Sequence, residues 1–364
     1  MDEKAHAIAR LARTKIPGGR ILRIQLSDRN NPHYARILLQ NYQNKRLALL
    51  AGLGDDPVEN VLTNALLWFH ELESLKTRRA EKLWIVSRQA PKLARLRTAL
   101  RDPWQSKIRI FDRLLVEVFD EVPEIKKVKI LKPAKIRARA EEMISQLPGE
   151  VQSQGEKLAF NGLPFLRFRE NEVFFGVERQ TQLLDSFSSG ELGELLENLQ
   201  LYRRHDSPNK QHAFYKLLPE AWLESALRND ITVLDKNLIL SPVHQQFRTS
   251  SEKIDLLALR RDGRLVIIEL KVSPNREHLF QAVDYWHEIE KQKAAGNLAG
   301  LFGRLPIAAA PSLIYLVAPH SCYHPDFGFL AGTVSPELEI YRFDLNEDWR
   351  KKIRILEKQK IQGS

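Results

Sequence analysis

Cysteine is almost absent: Cys322 is the only one in 364 residues. No intramolecular disulfide can form, and the chain fits a reducing cytoplasm. Long apolar runs are missing too. No stretch approaches the ~20 residues that a membrane-crossing helix needs. The opening residues, Met1-Asp2-Glu3-Lys4, lack the basic and apolar pattern of a secretory signal. A cytoplasmic protein without a membrane partner is therefore expected. No P-loop, dinucleotide glycine pattern, His-Glu-x-x-His or Gly-x-Ser-x-Gly occurs, so ATP-driven work or serine hydrolysis would need a partner protein. What the chain does have is positive charge. Its 56 Lys and Arg against 46 Asp and Glu leave a net charge of +10, which favours a polyanionic partner. Basic clusters recur at Lys76–Arg79, Lys92–Arg101, Lys126–Arg139 and Arg350–Lys360.

The densest chemical signal lies at 254–271. Ile254-Asp255-Leu256-Leu257-Ala258-Leu259 and Leu265-Val266-Ile267-Ile268-Glu269-Leu270-Lys271 flank Asp262-Gly263. Both apolar runs predict strands, and Asp-Gly between them predicts a hairpin. A three-residue loop, Arg261-Asp262-Gly263, pairs Arg260 with Arg264 and sets Asp255 opposite Glu269. Lys271 then points to the same face, two residues on. A two-residue loop would put Asp255 opposite Leu270, on the other face. Two carboxylates and an amine at one strand end suit metal-assisted cleavage of a phosphodiester.

Helices are expected on both sides of the hairpin. From Glu277 to Lys293, Leu279, Val283, Trp286 and Ile289 recur at helical spacing, with Gln281 and Tyr285 four apart on another face. Pro219 to Leu227 predicts a helix that starts at Pro219, stops near Asn229-Asp230 and carries Glu220 and Glu224 on one face. Either glutamate could be a third carboxylate at the site.

These residues resemble the PD-(D/E)xK nuclease superfamily, closest to its mismatch-type and restriction-like endonucleases. The matching pieces are Glu224, Asp255, Glu269-Leu270-Lys271 and Gln281-Ala282-Val283-Asp284-Tyr285, within about residues 215–345. The resemblance implies a mixed sheet flanked by helices and a Mg²⁺ or Mn²⁺ site. Asp255 and Glu269 would hold the metal with the carbonyl of Leu270, and Glu224 would be the further carboxylate. Lys271 would orient or deprotonate the attacking water, and Gln281 would position Lys271 or a phosphate. Relatives that hold an iron–sulfur cluster with four cysteines are excluded by the lone Cys322.

The pattern recurs near the N-terminus. Arg36 to Leu50 parallels Ile254 to Ile268 without a gap, Trp68 to Glu73 parallels Tyr285 to Glu290, Lys82 to Ser87 parallels Ser312 to Val317, and Lys107 to Asp112 parallels Leu338 to Phe343. On that alignment Ile37 stands for Asp255, and Ala51-Gly52-Leu53 for Glu269-Leu270-Lys271. The first copy therefore has no site, and serves as scaffold, dimerisation surface or DNA contact.

The expected fold is α/β. Residues 1–120 form a degenerate nuclease-like module, 121–210 a basic linker and small α+β segment, 211–350 a restriction-endonuclease-like domain, and 351–364 a basic tail. The expected function is metal-dependent hydrolysis of DNA in repair, restriction or defence, with a homodimer as one way to use the first module. An RNase with the same site, or a nucleic-acid-binding protein of nuclease fold that cuts little, are the alternatives. A loop at His320, Cys322, His324 and Asp326 offers zinc-type ligands without a recognised four-ligand spacing.

Overall fold

The computed structural model of the chain describes residues 2–28, 33–75, 79–120, 147, 149–153, 156–169, 172–185, 187–240 and 254–361. The expected basic linker at 126–139 lies outside the described residues. Among these residues, three mixed or antiparallel sheets are flanked by helices, and no helix is long and apolar enough to cross a membrane.

The first sheet runs β1 (Arg20–Leu26), β2 (Tyr34–Gln40), β3 (Arg46–Gly52), β4 (Lys82–Val86) and β5 (Ile108–Phe111) in sequence order. Helix α1 (Asp2–Thr14) precedes it; α2 (Val58–Ser74) joins β3 to β4, and α3 (Ala90–Arg97) lies between β4 and β5. The middle sheet is an antiparallel meander of β6 (Val151–Ser153), β7 (Lys157–Phe160), β8 (Leu163–Arg169), β9 (Glu172–Val177) and β10 (Gln180–Leu183). Helix α4 (Ser189–Tyr202) covers it, with Leu199 buried among Phe160, Phe165 and Phe168.

Helix α5 (Pro219–Asn229) opens the third unit. Its sheet orders β11 (Leu238–Leu240), β12 (Leu256–Arg260), β13 (Leu265–Leu270), β14 (Leu313–Pro319), β15 (Ile340–Leu345) and β16 (Ile355–Ile361). Helix α6 (His278–Ala294) joins β13 to β14, and α7 (Phe327–Ala331) lies between β14 and β15. The expected tail is corrected here: 355–361 form an edge strand antiparallel to β15. Lys358 reaches back over the rings of Tyr315, Tyr341 and Phe343. An edge strand rich in lysine also resists pairing with another chain.

The first and third sheets share order and polarity. In each, two antiparallel pairings are followed by two parallel ones, β1 to β5 matching β11 to β15. The hairpins match atom for atom in their turns. Asn41 N–H donates to Lys45 O and Asn44 N–H to Asn41 O; Arg260 N–H donates to Arg264 O and Gly263 N–H to Arg260 O. The left-handed position is Asn44 at φ 61° in one and Gly263 at φ 84° in the other, conformations that asparagine tolerates and glycine adopts freely. Asn44 therefore corresponds to Gly263, one residue away from the gap-free alignment read from the sequence. In a strand a one-residue shift reverses the face of every side chain, so the alignment is corrected throughout. Arg36, not Ile37, stands where Asp255 stands. Leu50 replaces Glu269, and Gly52 replaces Lys271.

The two units share one core. Leu62, Ala65, Leu93 and Leu96 of the first pack in the same buried cluster as Leu279, Val283, Leu330 and Val334 of the third. Helix α3 touches α6, and, reciprocally, α7 touches α2. A short bridge joins Leu100 to Val334: Arg101 N–H donates to Thr333 O, and Ser335 N–H to Ala99 O. Each contact maps onto the other when the units are exchanged, so the arrangement is approximately two-fold. Lys92 and Arg95 on α3 reach Asp284 on α6 at 2.9 and 3.2 Å, and Arg95 also reaches Glu288. Two of the four basic residues of the cluster at Lys92–Arg101 are thus spent on this seam, and Arg97 donates to Gln105 O and Ile108 O within the first unit.

The middle sheet docks on α5. Gln152 accepts a hydrogen bond from Ser225 Oγ and donates to Ser225 O. Gly162 sits so close that a Cβ there would lie 1.9 Å from Ala221 O. Arg203, wholly buried, donates to the carbonyls of Asn161, Phe214, Leu217 and Leu218 and lies over the Trp222 ring. Burial draws its pKa down to about 9.

Candidate functional site

The hairpin turn sets the register of the site. The loop is three residues long, so Leu256 pairs with Ile268 and Leu259 with Leu265. One step further, Asp255 faces Glu269. Faces alternate along both strands. Leu259, Leu265 and Ile267 pack with Tyr285 and Ile289 of α6, whereas Ala258, Val266 and Ile268 pack with Trp222 and Leu223 of α5. Asp255, Glu269 and Lys271 share the parity of the α6 face.

At the strand end, Asp255 Oδ2 accepts the Leu270 N–H at 2.9 Å. Glu269 is 1% exposed, and Lys271 Nζ donates to its Oε1 at 2.8 Å. Its other oxygen, Oε2, is buried without a hydrogen-bond partner. An unsatisfied carboxylate oxygen out of water is costly. Burial pushes the Glu269 pKa well up and Asp255 adds to it, against the pull of Lys271. Burial alone would lower the Lys271 pKa, but attraction to Glu269, Glu220 and Asp255 outweighs it and the pKa rises. Three carboxylates thus act on one ammonium, and the excess is negative.

Of the two α5 glutamates, Glu220 is the one whose charge acts on both Glu269 and Lys271. It is half-buried and, among the described residues, has no ion-pair or hydrogen-bond partner. Glu224 is buried and accepts from Arg228 at 2.8 Å, and Arg228 in turn reaches Asp255 O. Arg228 thus links the Glu224 carboxylate to the backbone of Asp255. Gln281 donates its amide N–H to Tyr285 OH at 3.1 Å. The two form the expected pair on α6, but the amide is directed at the phenol and not at Lys271.

Sequence reasoning missed His278. It is 2% exposed at the first turn of α6, with Nε2 3.2 Å from Glu269 O. Burial, with Lys271 nearby, holds its pKa down at about 3, so the ring is neutral and ties helix to strand. Its only signal was a polar residue at the start of an apolar helix face.

The side chains of the suspected zinc loop are engaged with other partners, and His324 lies 3.4 Å from Asp326. His320 pairs with Asp344 at 2.7 Å, His324 accepts from Arg276, and Asp326 pairs with Arg276. Among the described residues, no group of three or more His, Cys, Asp or Glu stands ready to hold a metal. A divalent cation at the hairpin would have Asp255, the orphaned Oε2 of Glu269 and the Leu270 carbonyl. So few protein ligands, all oxygen, suit Mg²⁺ or Mn²⁺, which keep several waters. The donors fit the ion by chemistry and charge. No known protein family, curated protein or solved structure matches this chain.

Proposed function

We propose that the chain is a Mg²⁺- or Mn²⁺-dependent endonuclease that hydrolyses phosphodiester bonds in DNA, with the PD-(D/E)xK arrangement its motifs resemble. One observation carries this reading: a buried glutamate opposite an aspartate, with one oxygen on a lysine and the other unpartnered. Such an arrangement is unfavourable for a bare protein core and is relieved by a cation.

Asp255, Glu269 Oε2 and the Leu270 carbonyl would hold the ion. Once bound, it would polarise the phosphate and lower the pKa of a bound water. Lys271 opposes the rise that burial imposes on the Glu269 pKa through its bond to Oε1, and its two other N–H groups are available to oxygens on the substrate. Its raised pKa suits it to orienting water and stabilising developing charge, rather than to taking a proton. Glu220 reinforces that charge state. Tyr285 and Gln281 brace the helix beside the hairpin, and neutral His278 fixes the backbone that carries Glu269. The net charge of +10 supports a polyanionic substrate.

The test is cleavage of plasmid, single-stranded DNA and RNA with Mg²⁺, Mn²⁺ or EDTA, wild type beside Asp255→Ala. Metal-dependent DNA cutting that vanishes in the variant is expected. Cutting confined to RNA would reassign the substrate. A folded wild type that binds DNA without cutting it would make this a binding protein of nuclease fold.

A further inference from the structure

We infer that the chain carries its own catalytically silent partner and cuts one strand of a DNA duplex per binding event. The inference deepens the nuclease reading above and rests on it. The two strands of a duplex are antiparallel and related by two-fold axes across the helix. A two-fold pair of active units can therefore address both strands symmetrically, as closed dimers do. Here the two-fold exists inside one chain. Exchange of the units maps the contact of α3 on α6 onto that of α7 on α2, and maps Arg101 N–H···O Thr333 onto Ser335 N–H···O Ala99.

Only one half is chemically equipped. At the position of Asp255 the first unit has Arg36, whose guanidinium lies over the rings of Tyr34 and Trp68. At that of Glu269 it has Leu50, fully buried in the shared core. At that of Lys271 it has Gly52, beside Val61 of α2. A cation cannot be held between an arginine and a leucine. The surface on which a second catalytic subunit would dock, formed by α6, α7 and Val334, is already covered by α2, α3 and Leu100.

The experiment follows supercoiled plasmid in Mn²⁺ over time, with sedimentation of the protein on a short duplex. We expect open circles to accumulate until supercoiled substrate is exhausted, with linear molecules arising only later from independent second nicks. We also expect one 42.1 kDa chain per duplex. Linear product that appears together with open circles, or two chains assembled on one duplex, would overturn the inference while leaving the nuclease reading intact. Absence of any metal-dependent cutting would overturn both.

Discussion

At Glu269 the consequences of burial can be read one oxygen at a time. Oε1 has its ammonium and Oε2 has nothing, so the folded state gains whenever a cation supplies the missing partner. Binding to the folded state alone stabilises by mass action, about 2.7 kcal/mol at a hundredfold excess over Kd. We expect millimolar Mn²⁺ to raise the melting temperature of the wild type and to leave that of Asp255→Ala or Glu269→Ala unchanged, as scanning calorimetry would show. Equal shifts in all three proteins would place the ion elsewhere. The two α5 glutamates should separate in the same assay. Glu224→Gln breaks a buried pair with Arg228 and should cost about 3 kcal/mol in denaturant unfolding. Glu220→Gln should cost little stability and should weaken the Mn²⁺ response. Lys271→Ala should abolish cleavage and largely spare DNA binding by the folded protein.

At the scale of elements, the hairpin was legible from Asp-Gly between two apolar runs, but its loop length was not: two- and three-residue loops both fitted the letters, and the hydrogen bonds of Arg260 and Gly263 supply the three-residue loop that fixes the face. Gly263 has φ 84° and is approached by Pro306 O and Ala308. Gly263→Ala should therefore cost about 1–2 kcal/mol, and a register slip would appear as lost activity beyond that cost. The repeat was legible in its order but not in its alignment. Strands β3 and β13 are buried on both faces, so either parity presents Leu, Ile, Val or Ala and the letters cannot choose. The seam between α3 and α6 was illegible for another reason. Lys92 and Arg95 read as a solvated basic run, and their acidic partner Asp284 lies about 190 residues away in sequence. The seam also carries His287, whose pKa burial lowers to about 4, with Arg95 assisting. The unfolded chain would take up that proton near pH 6.5. Stability should hold above pH 6.5 and fall as pH drops from 6.5 towards 4, by at most about 1.4 kcal/mol per pH unit from this group. His287→Gln should flatten that part of the profile. An unchanged slope would assign the loss to other groups.

At the scale of the whole molecule, the first and third units are not beads on a string. Their cluster of buried Leu, Ile, Val and Phe runs from Leu38 to Ile340 without regard to the chain between. They should melt together in one calorimetric transition, and a fragment beginning at residue 211 should expose the apolar faces of α6 and α7 and aggregate. Two resolved transitions for these units would contradict the shared core. The middle segment was the least legible part. Only its small α+β character could be read from the sequence. Nothing in the pattern marked Arg203 as a buried tie among carbonyls, or Gly162 as a point of contact with a distant helix. That last contact has mechanical meaning. With backbone against backbone at Gly162 and Ala221, there is no side chain to flex and no rotamer to absorb a displacement. Glu220 is the next residue along, so the distance from the middle sheet to the carboxylates is gauged by two peptide units, like a shim cut to one thickness.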